Sequence, residues 1–413
     1  MSNRVVVTGI GALSPIGNTA DDFIKNMLNS KVGIAPITKF DASETGITVA
    51  GEVKDFNPSD RLSKKDYKRL DPYAQYALYT AKEAMDQAGL VEGENYQPED
   101  LGVIYGTGIG GIQTIEEQVI KAHEKGPRRV SPLFVPKAIS NMAAGNISMY
   151  FDAKNTSQAI VTACASGTNA IGNAFEFIKQ GKAKVMITGG SEAAVTNMGI
   201  AGFASLTALS ESTDPMAASM PFDVDRNGFV LGEGAGTLVL EDYDHAKARG
   251  AKILAEIVGY GTTSDAYHLT APDPEGKGAI MAMKQAVDEA GIATDELDYV
   301  NAHGTATHAN DAGESAAIGK LFADNDHLKT SSIKGMIGHS LGAAGGLEAV
   351  ALVGALENAQ MPVNVGMKHK DPEVKIDLVN DDNKKAPIET AISNSFGFGG
   401  HNAVIAMRKW EDN

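Results

Sequence analysis

The sequence predicts an α/β protein of two halves built on one plan, and three observations carry that prediction. Short apolar runs ending in glycine alternate along the chain with helical stretches, the arrangement of βαβ units whose sheet is covered on both faces. One helical stretch places Ile171, Ala174, Phe175 and Ile178 on a single face, and a stretch in the second half repeats that spacing with Ala349, Leu352, Val353 and Leu356. Each of these helices follows a strand-like run and a loop of small residues.

In the first half, "RVVVTGIG", "LGVIYGTGIGG", "AIVTACASG" and "KVMITGGSEAA" predict buried strands, because a strand covered on both faces is apolar at every position. In the second half "ILAEIVGYG", "LDYVNAHGTAT", "LKTSSIKGMIGHS" and "NAVIAMRKW" take the same part. The charged stretch "EDYDHAKARGAKILAE" follows "GTLVLE" and marks the seam, so the chain divides into residues 1–250 and 251–413. "DASETGITVAGEVKDFNPSDRLSKKDYKRLD" and "HEKGPRRVSPLFVPKAISNMAAGN" match neither plan and predict inserted loops or caps.

Composition limits the function classes. The 413 residues are 43% apolar with 45 glycines, and no apolar run is long enough to cross a membrane. The N-terminus lacks a signal-peptide pattern, and a single cysteine forms no internal disulfide, so a cytoplasmic protein without membrane insertion is expected. A formal charge of −16 argues against nucleic-acid binding and requires any acidic partner to meet a local basic patch.

That one cysteine, Cys164, lies in "VTACASGTNA", where the apolar run stops at Ala163 and the helical period starts after Gly167. A strand-to-helix turn puts the side chain at the carboxyl end of the sheet, where open α/β sheets bind ligands. Helix N-terminal N–H groups there predict a lowered thiol pKa. Without such a setting a free cysteine reads as a small buried hydrophobe. His303 in "LDYVNAHGTAT" and His339 in "SSIKGMIGHSLGAAGG" end two second-half strands and are candidate partners of the thiol. The spacing of His303 and His308 is also one that zinc sites use, but no second cysteine or histidine pair accompanies it. "SNSFGFGGHNAVI" predicts a glycine-rich turn whose N–H groups can face a developing oxyanion. "GTGIGG" fits a dinucleotide fingerprint after a strand, yet "GPRRVSP" stands where the acidic ribose ligand belongs, which argues against a nicotinamide cofactor.

"TACASGTNAIGNA", "NAHGTAT", "SSIKGMIGHSLGAAGG", "DVDRNGFVLGEGAG" and "NSFGFGGHNA", in this order, closely resemble the β-ketoacyl-acyl carrier protein synthase family, in particular its synthase II branch of bacterial fatty acid synthesis. The resemblance covers essentially the whole chain. It implies a thiolase fold, with duplicated βαβ halves in a five-layered α-β-α-β-α core, and a homodimer. It implies decarboxylating condensation of malonyl-acyl carrier protein with an acyl group held on Cys164. His303 and His339 would stabilise the enolate, and the N–H groups of Cys164 and Phe398 would form the oxyanion hole. Lys334 and Glu348 would hold the histidines. Thr305 and Thr307 would bind the pantetheine arm, and Ile109, Phe203, Phe396 and Phe398 would line or gate the acyl pocket. A monovalent cation is implied at Asn301, Glu348, Ser393 and Asn394; otherwise no cofactor is needed beyond the phosphopantetheine that the carrier brings. Acidic acyl carrier protein requires basic residues, and Lys64, Lys65, Lys68 and Arg69, with Lys125, Arg128 and Arg129, are the densest groups.

The sequence departs from the family pattern at Ala306, Ile333, Gly335, Ile337, Ser340 and His401, which bears on rate and substrate preference rather than reaction type. A thiolase would need a second reactive cysteine, and a synthase III would pair the thiol with one histidine and an asparagine. A synthase I-type elongating enzyme and a non-catalytic homologue are the remaining alternatives; the latter usually lacks the cysteine.

Overall fold

The computed structural model describes residues 2–411. Its main sheet has ten strands: β1 (Val5–Leu13), β2 (Leu101–Gly106), β3 (Ser157–Ile160), β4 (Val185–Glu192), β5 (Gly234–Asp242), β6 (Ala255–Ser264), β7 (Tyr299–Asn301), β8 (Lys329–Ser331), β9 (Thr390–Gly397) and β10 (His401–Lys409). Their spatial order is β8-β7-β9-β10-β6-β1-β5-β4-β2-β3. The first five and the last five strands, each numbered within its set, follow the same order, 1-5-4-2-3, and the sets join where Val5 to Val7 pair antiparallel with Ile257 to Ala255.

Helices divide this sheet into layers. The main ones are α1 (Pro72–Ala88), α2 (Ile112–Lys125), α3 (Met142–Tyr150), α4 (Ser166–Lys179), α5 (Asn197–Ser205), α6 (Lys277–Ala290), α7 (His308–Leu321) and α8 (Ala344–Asn358). Helices α4 and α8 touch strands of both sets and form the middle layer, whereas α1 covers only the first set and α6 only the second. The result is the five-layered α-β-α-β-α core of a thiolase fold.

Strand side chains alternate between two apolar cores, as the period of two requires. Met186, Leu238 and Leu240 point to the middle layer with Ile171 and Val350, while Val185, Ile187 and Val239 point outward to α1. In the second set Ile405 and Met407 face the middle and Val404 and Ala406 face α6. Burial on both faces is why these strands read as continuous apolar runs.

Three local expectations are corrected. The run "AIVTACASG" leaves the sheet at Ile160, well before Ala163. "LKTSSIKGMIGHS" is a strand only over Lys329–Ser331, after which Lys334–Ile337 turn helically. The glycine-rich turn expected over "SNSFGFGG" is confined to residues 398–400, because Thr390–Gly397 form β9. The inserted regions contain short helical turns, at Lys64–Tyr67 and Phe134–Ala138 among others, and α3 closes the second insertion.

Candidate active site

Cys164 sits in a 3₁₀ turn, Ala163–Ala165, between the end of β3 and the start of α4. Ala163 takes a left-handed φ of +51°, a costly conformation for a residue with a Cβ. Ser166 ties the turn together: its hydroxyl donates to the Ala163 carbonyl at 2.6 Å and accepts the Thr162 N–H at 2.9 Å. The second set repeats the device, since Leu341 has φ +50° and begins the 3₁₀ turn Leu341–Ala343 that feeds α8.

The thiol is 8% exposed, and burial pushes its pKa up to about 12. The Lys334 charge and the N–H groups of Phe398 and Cys164 pull it down, while Glu192 adds to the rise. The expected lowering by the helix terminus is thus overturned: desolvation of a thiolate outweighs the donors aimed at it.

Cys164, His303, His339, Thr305, Thr307, Phe203, Phe396 and Phe398 line one cleft of about 310 Å³. The two imidazoles stand 5.2 Å apart at 87°; His303 leans on Phe396 and His339 on Phe229. The Leu341 N–H donates to His339 Nδ1 at 3.3 Å, so the ring proton of His339 sits on Nε2. Burial first, and the Lys334 charge second, hold both histidines well below the usual imidazole range, so both are neutral near pH 7.

Lys334 is buried and paired with Glu348, whose carboxyl is pushed up by burial. Ser395 donates to Glu348 at 3.4 Å. Among the described residues neither Lys334 nor Glu348 hydrogen-bonds to a histidine ring; Lys334 reaches the rings and the thiol by its field. Thr305 and Thr307 share a hydroxyl hydrogen bond of 2.9 Å at the cleft wall. Ile109 lies behind the cleft, in an apolar cluster with Cys164, Phe203 and Leu341.

The departures from the family pattern find places. Ile333 and Ile337 join the central core, Ala306 is buried at φ +66°, and His401 starts β10 against the glycine turn without lining the cleft. Gly335 has no room for a Cβ, which would meet the Val365 carbonyl oxygen at 2.1 Å. Ser340 is buried with its hydroxyl unpartnered among the described residues. His308 begins α7 with its side chain exposed, apart from buried His303.

Four residues of the site carried no role in the sequence. Glu314 accepts the N–H groups of His303 and Gly304, each at 2.8 Å, and so fixes the His303 loop. Arg226, inside the quoted "DVDRNGFVLGEGAG", donates to Asp371 at 2.6 Å and to the carbonyls of Thr307 and His308 at 3.4 and 3.3 Å. Phe229 packs on His339, and Glu192 ends β4 beside the "GTGIGG" loop. An acid at the carboxyl end of an apolar run, or among small residues of a helix, was the available signal for Glu192 and Glu314.

The family model "Beta-ketoacyl synthase, N-terminal domain" matches residues 2–246, and "Beta-ketoacyl synthase, C-terminal domain" matches residues 254–368. The chain belongs to the β-ketoacyl synthase family. This β-ketoacyl synthase is 46% identical over 410 residues to the "3-oxoacyl-[acyl-carrier-protein] synthase 2" of Synechocystis sp., covering 99% of this chain and 98% of the relative. It is 48% identical over 411 residues to the protein of the same name from Staphylococcus aureus strain COL, covering 99% of each. Among solved structures it is similar to "The ishigamide ketosynthase/chain length factor", with a TM-score of 0.93, 33% identity and full coverage of both chains. A polyketide ketosynthase solved with its acyl-carrier protein gives 0.92 and 32%, again with full coverage of both chains.

Proposed function

We propose that this β-ketoacyl synthase elongates acyl chains in fatty acid biosynthesis, condensing malonyl-acyl carrier protein with an acyl group held on Cys164. The observation that carries the reading is one cleft holding a buried thiol, two neutral imidazoles and two N–H donors at the sulfur. The 46–48% identity to synthases named for this activity, against 32% to the type II polyketide ketosynthase and 33% to the ishigamide ketosynthase, favours the fatty acid branch.

In the first half-reaction Cys164 Sγ attacks the thioester carbonyl of an acyl carrier, the C–S bond to pantetheine breaks, and the thiol proton ends on the departing pantetheine sulfur. This exchange is proton-neutral overall, so a thiol protonated at rest suits it. The N–H groups of Cys164 and Phe398 take the oxyanion. In the second, malonyl thioester loses CO2 and its enolate attacks the acyl-Cys164 carbonyl; the C–S bond to Cys164 breaks, giving a 3-oxo chain two carbons longer and a Cys164 thiolate that takes a proton from solvent. The Nε2–H of His339, with His303, hydrogen-bonds the enolate oxygen. As neutral donors the two rings do not trap the malonyl carboxylate as a fixed cation would. Thr305 and Thr307 offer hydroxyls to the pantetheine amides, and Phe203, Phe396, Phe398 and Ile109 form the acyl wall.

Residues 1–250 then carry the nucleophile and residues 251–413 the histidines. For the monovalent cation, Asn301 Oδ1 and Asn394 Oδ1 are buried acceptors without partners among the described residues, which fits an oxygen-ligated cation held there with Ser393 and Glu348. Lys64, Lys65, Lys68, Arg69, Lys125, Arg128 and Arg129 are exposed and free of ion pairs among the described residues, which suits an acidic carrier. For a homodimer, β3 is an edge strand, and Met149 and Val161 near it are 68% and 51% exposed. No helix among the described residues is long and apolar enough to cross a membrane, and the cytoplasm is the proposed location.

The test is intact mass spectrometry after incubation with acyl carrier thioesters. The wild type gains one acyl group and Cys164→Ala gains none, while His303→Ala and His339→Ala keep acylation but lose malonyl decarboxylation. Acylation persisting in Cys164→Ala would sink the assignment.

A further inference from the structure

We propose that Glu192 sets the acyl-chain preference of this site, by gripping through a backbone nest the two segments that carry Ile109 and Leu341 behind Cys164. The proposal rests on Cys164 being the acyl carrier.

Glu192 is fully buried at the end of β4. Its Oε2 accepts the N–H of Gly108 at 2.6 Å and of Gly342 at 3.1 Å. Its Oε1 accepts the N–H of Ile109 at 3.1 Å and of Gly110 at 3.4 Å, and the Thr107 hydroxyl at 3.1 Å. No lysine, arginine or histidine pairs with it among the described residues, so the backbone N–H dipoles and the Thr107 hydroxyl balance the charge. Successive N–H groups converging on one anion form the kind of nest that glycine-rich loops present to a phosphate. Here the anion is built into the chain. That accounts for a motif that resembles a dinucleotide fingerprint in a protein whose site has no use for one.

The glycines are there for the fit. A Cβ on Gly108 would stand 2.7 Å from Glu192 Oε2, and one on Gly342 would stand 2.2 Å from the Gly108 nitrogen. The 107–110 loop and the 341–343 turn therefore touch backbone to backbone, with the carboxylate bridging them. Ile109 and Leu341 project from these segments into the cluster that contains Cys164 and Phe203. Their separation fixes how much chain the wall behind the thiol admits, and Glu192 fixes their separation.

Glu192 also acts on the thiol by charge. It raises the Cys164 pKa while Lys334 lowers it, and the other facing groups, His303 and His339, are neutral. Burial holds Glu192 itself at about 6, so it is ionised near pH 7.

Two variants separate the positional role from the charge. Glu192→Gln removes the charge and turns an amide N–H2 toward N–H donors; Thr107→Val keeps the charge and removes one donor of the nest. Cys164 acylation by short-, medium- and long-chain acyl carriers is followed by intact mass, and Cys164 alkylation by iodoacetamide is followed against pH. Glu192→Gln is expected to change the ratio of long- to short-chain acylation by roughly tenfold, the scale on which a pocket discriminates a methylene, and to move alkylation to lower pH. Thr107→Val is expected to change the ratio in the same direction by a smaller factor and to leave the alkylation profile in place. If Glu192→Gln does not fold, the Thr107→Val ratio decides. Variants that retain the wild-type ratio, or that slow every chain length equally, overturn the proposal while leaving Cys164 as the acyl carrier. A wild type that accepts no acyl group overturns both.

Discussion

Replacing Lys334 by methionine tests the electrostatic centre of the site. The side chains of Lys334 and Glu348 are 2% and 1% exposed, so the substitution strands a carboxylate in the interior with only the 3.4 Å hydrogen bond from Ser395. Breaking a buried pair in this way costs about 3–5 kcal/mol. The cost depends on pH, and its sign follows from linkage. Burial already holds the Glu348 carboxyl above the usual range, and loss of Lys334 raises it further. In the window between the unfolded and folded pKa values the folded state then binds more protons than the unfolded, so stability falls as pH rises. Urea unfolding of Lys334→Met, measured at about pH 8 and about pH 5, should show the larger deficit at the higher pH, because more of the stranded Glu348 carboxyl is ionised there. The double variant Lys334→Met/Glu348→Gln removes both charges and should recover most of the loss. A deficit that is the same at both pH values, or a double variant no more stable than the single, would refute the account. Loss of the lysine field should also move Cys164 alkylation to higher pH, since Lys334 lowers the thiol.

Gly342→Ala should lose at least about 1–3 kcal/mol, because its Cβ meets the Gly108 nitrogen at 2.2 Å and the overlap involves backbone on both sides; thermal unfolding measures this, and an unchanged midpoint would deny the backbone contact. Arg226→Lys keeps a charge but loses the planar fork that reaches Asp371 and the carbonyls of Thr307 and His308. Its expected signature is a KM for carrier substrates raised about tenfold with a smaller change in kcat, as for an interaction that positions the loop of Thr305 and Thr307, proposed above to bind the pantetheine arm; a fall in kcat alone would refute that role.

Much of the site was legible because its chemistry needs residue types that are scarce or conspicuous here. A lone cysteine at a strand-to-helix turn and two histidines after apolar runs are visible as patterns, although only His303 closely follows a strand and His339 follows the helical turn Lys334–Ile337; the cleft does bring Cys164, His303, His339, Thr305, Thr307 and Phe398 together. The doubly covered strands were legible for a similar reason, since burial on two faces leaves an unbroken apolar run. β9 was not, because "SNSFGFGG" is rich in serine, asparagine and glycine, and its strand state comes from pairing with Asn301 on one side and Val404 on the other.

What the sequence determined by itself is the local pattern: the candidate nucleophile and its candidate partners, the duplicated α/β plan and the glycines that let segments approach. Tertiary structure decided the energies. It buried Cys164 so that desolvation outweighs the helix terminus, neutralised both histidines, and set Lys334 against Glu348 rather than against a ring. It also filled the "GTGIGG" nest with Glu192, a residue some eighty positions away in the chain. Charge, solvation and through-space partners depend on what surrounds a group in three dimensions, and no spacing along the chain encodes that directly.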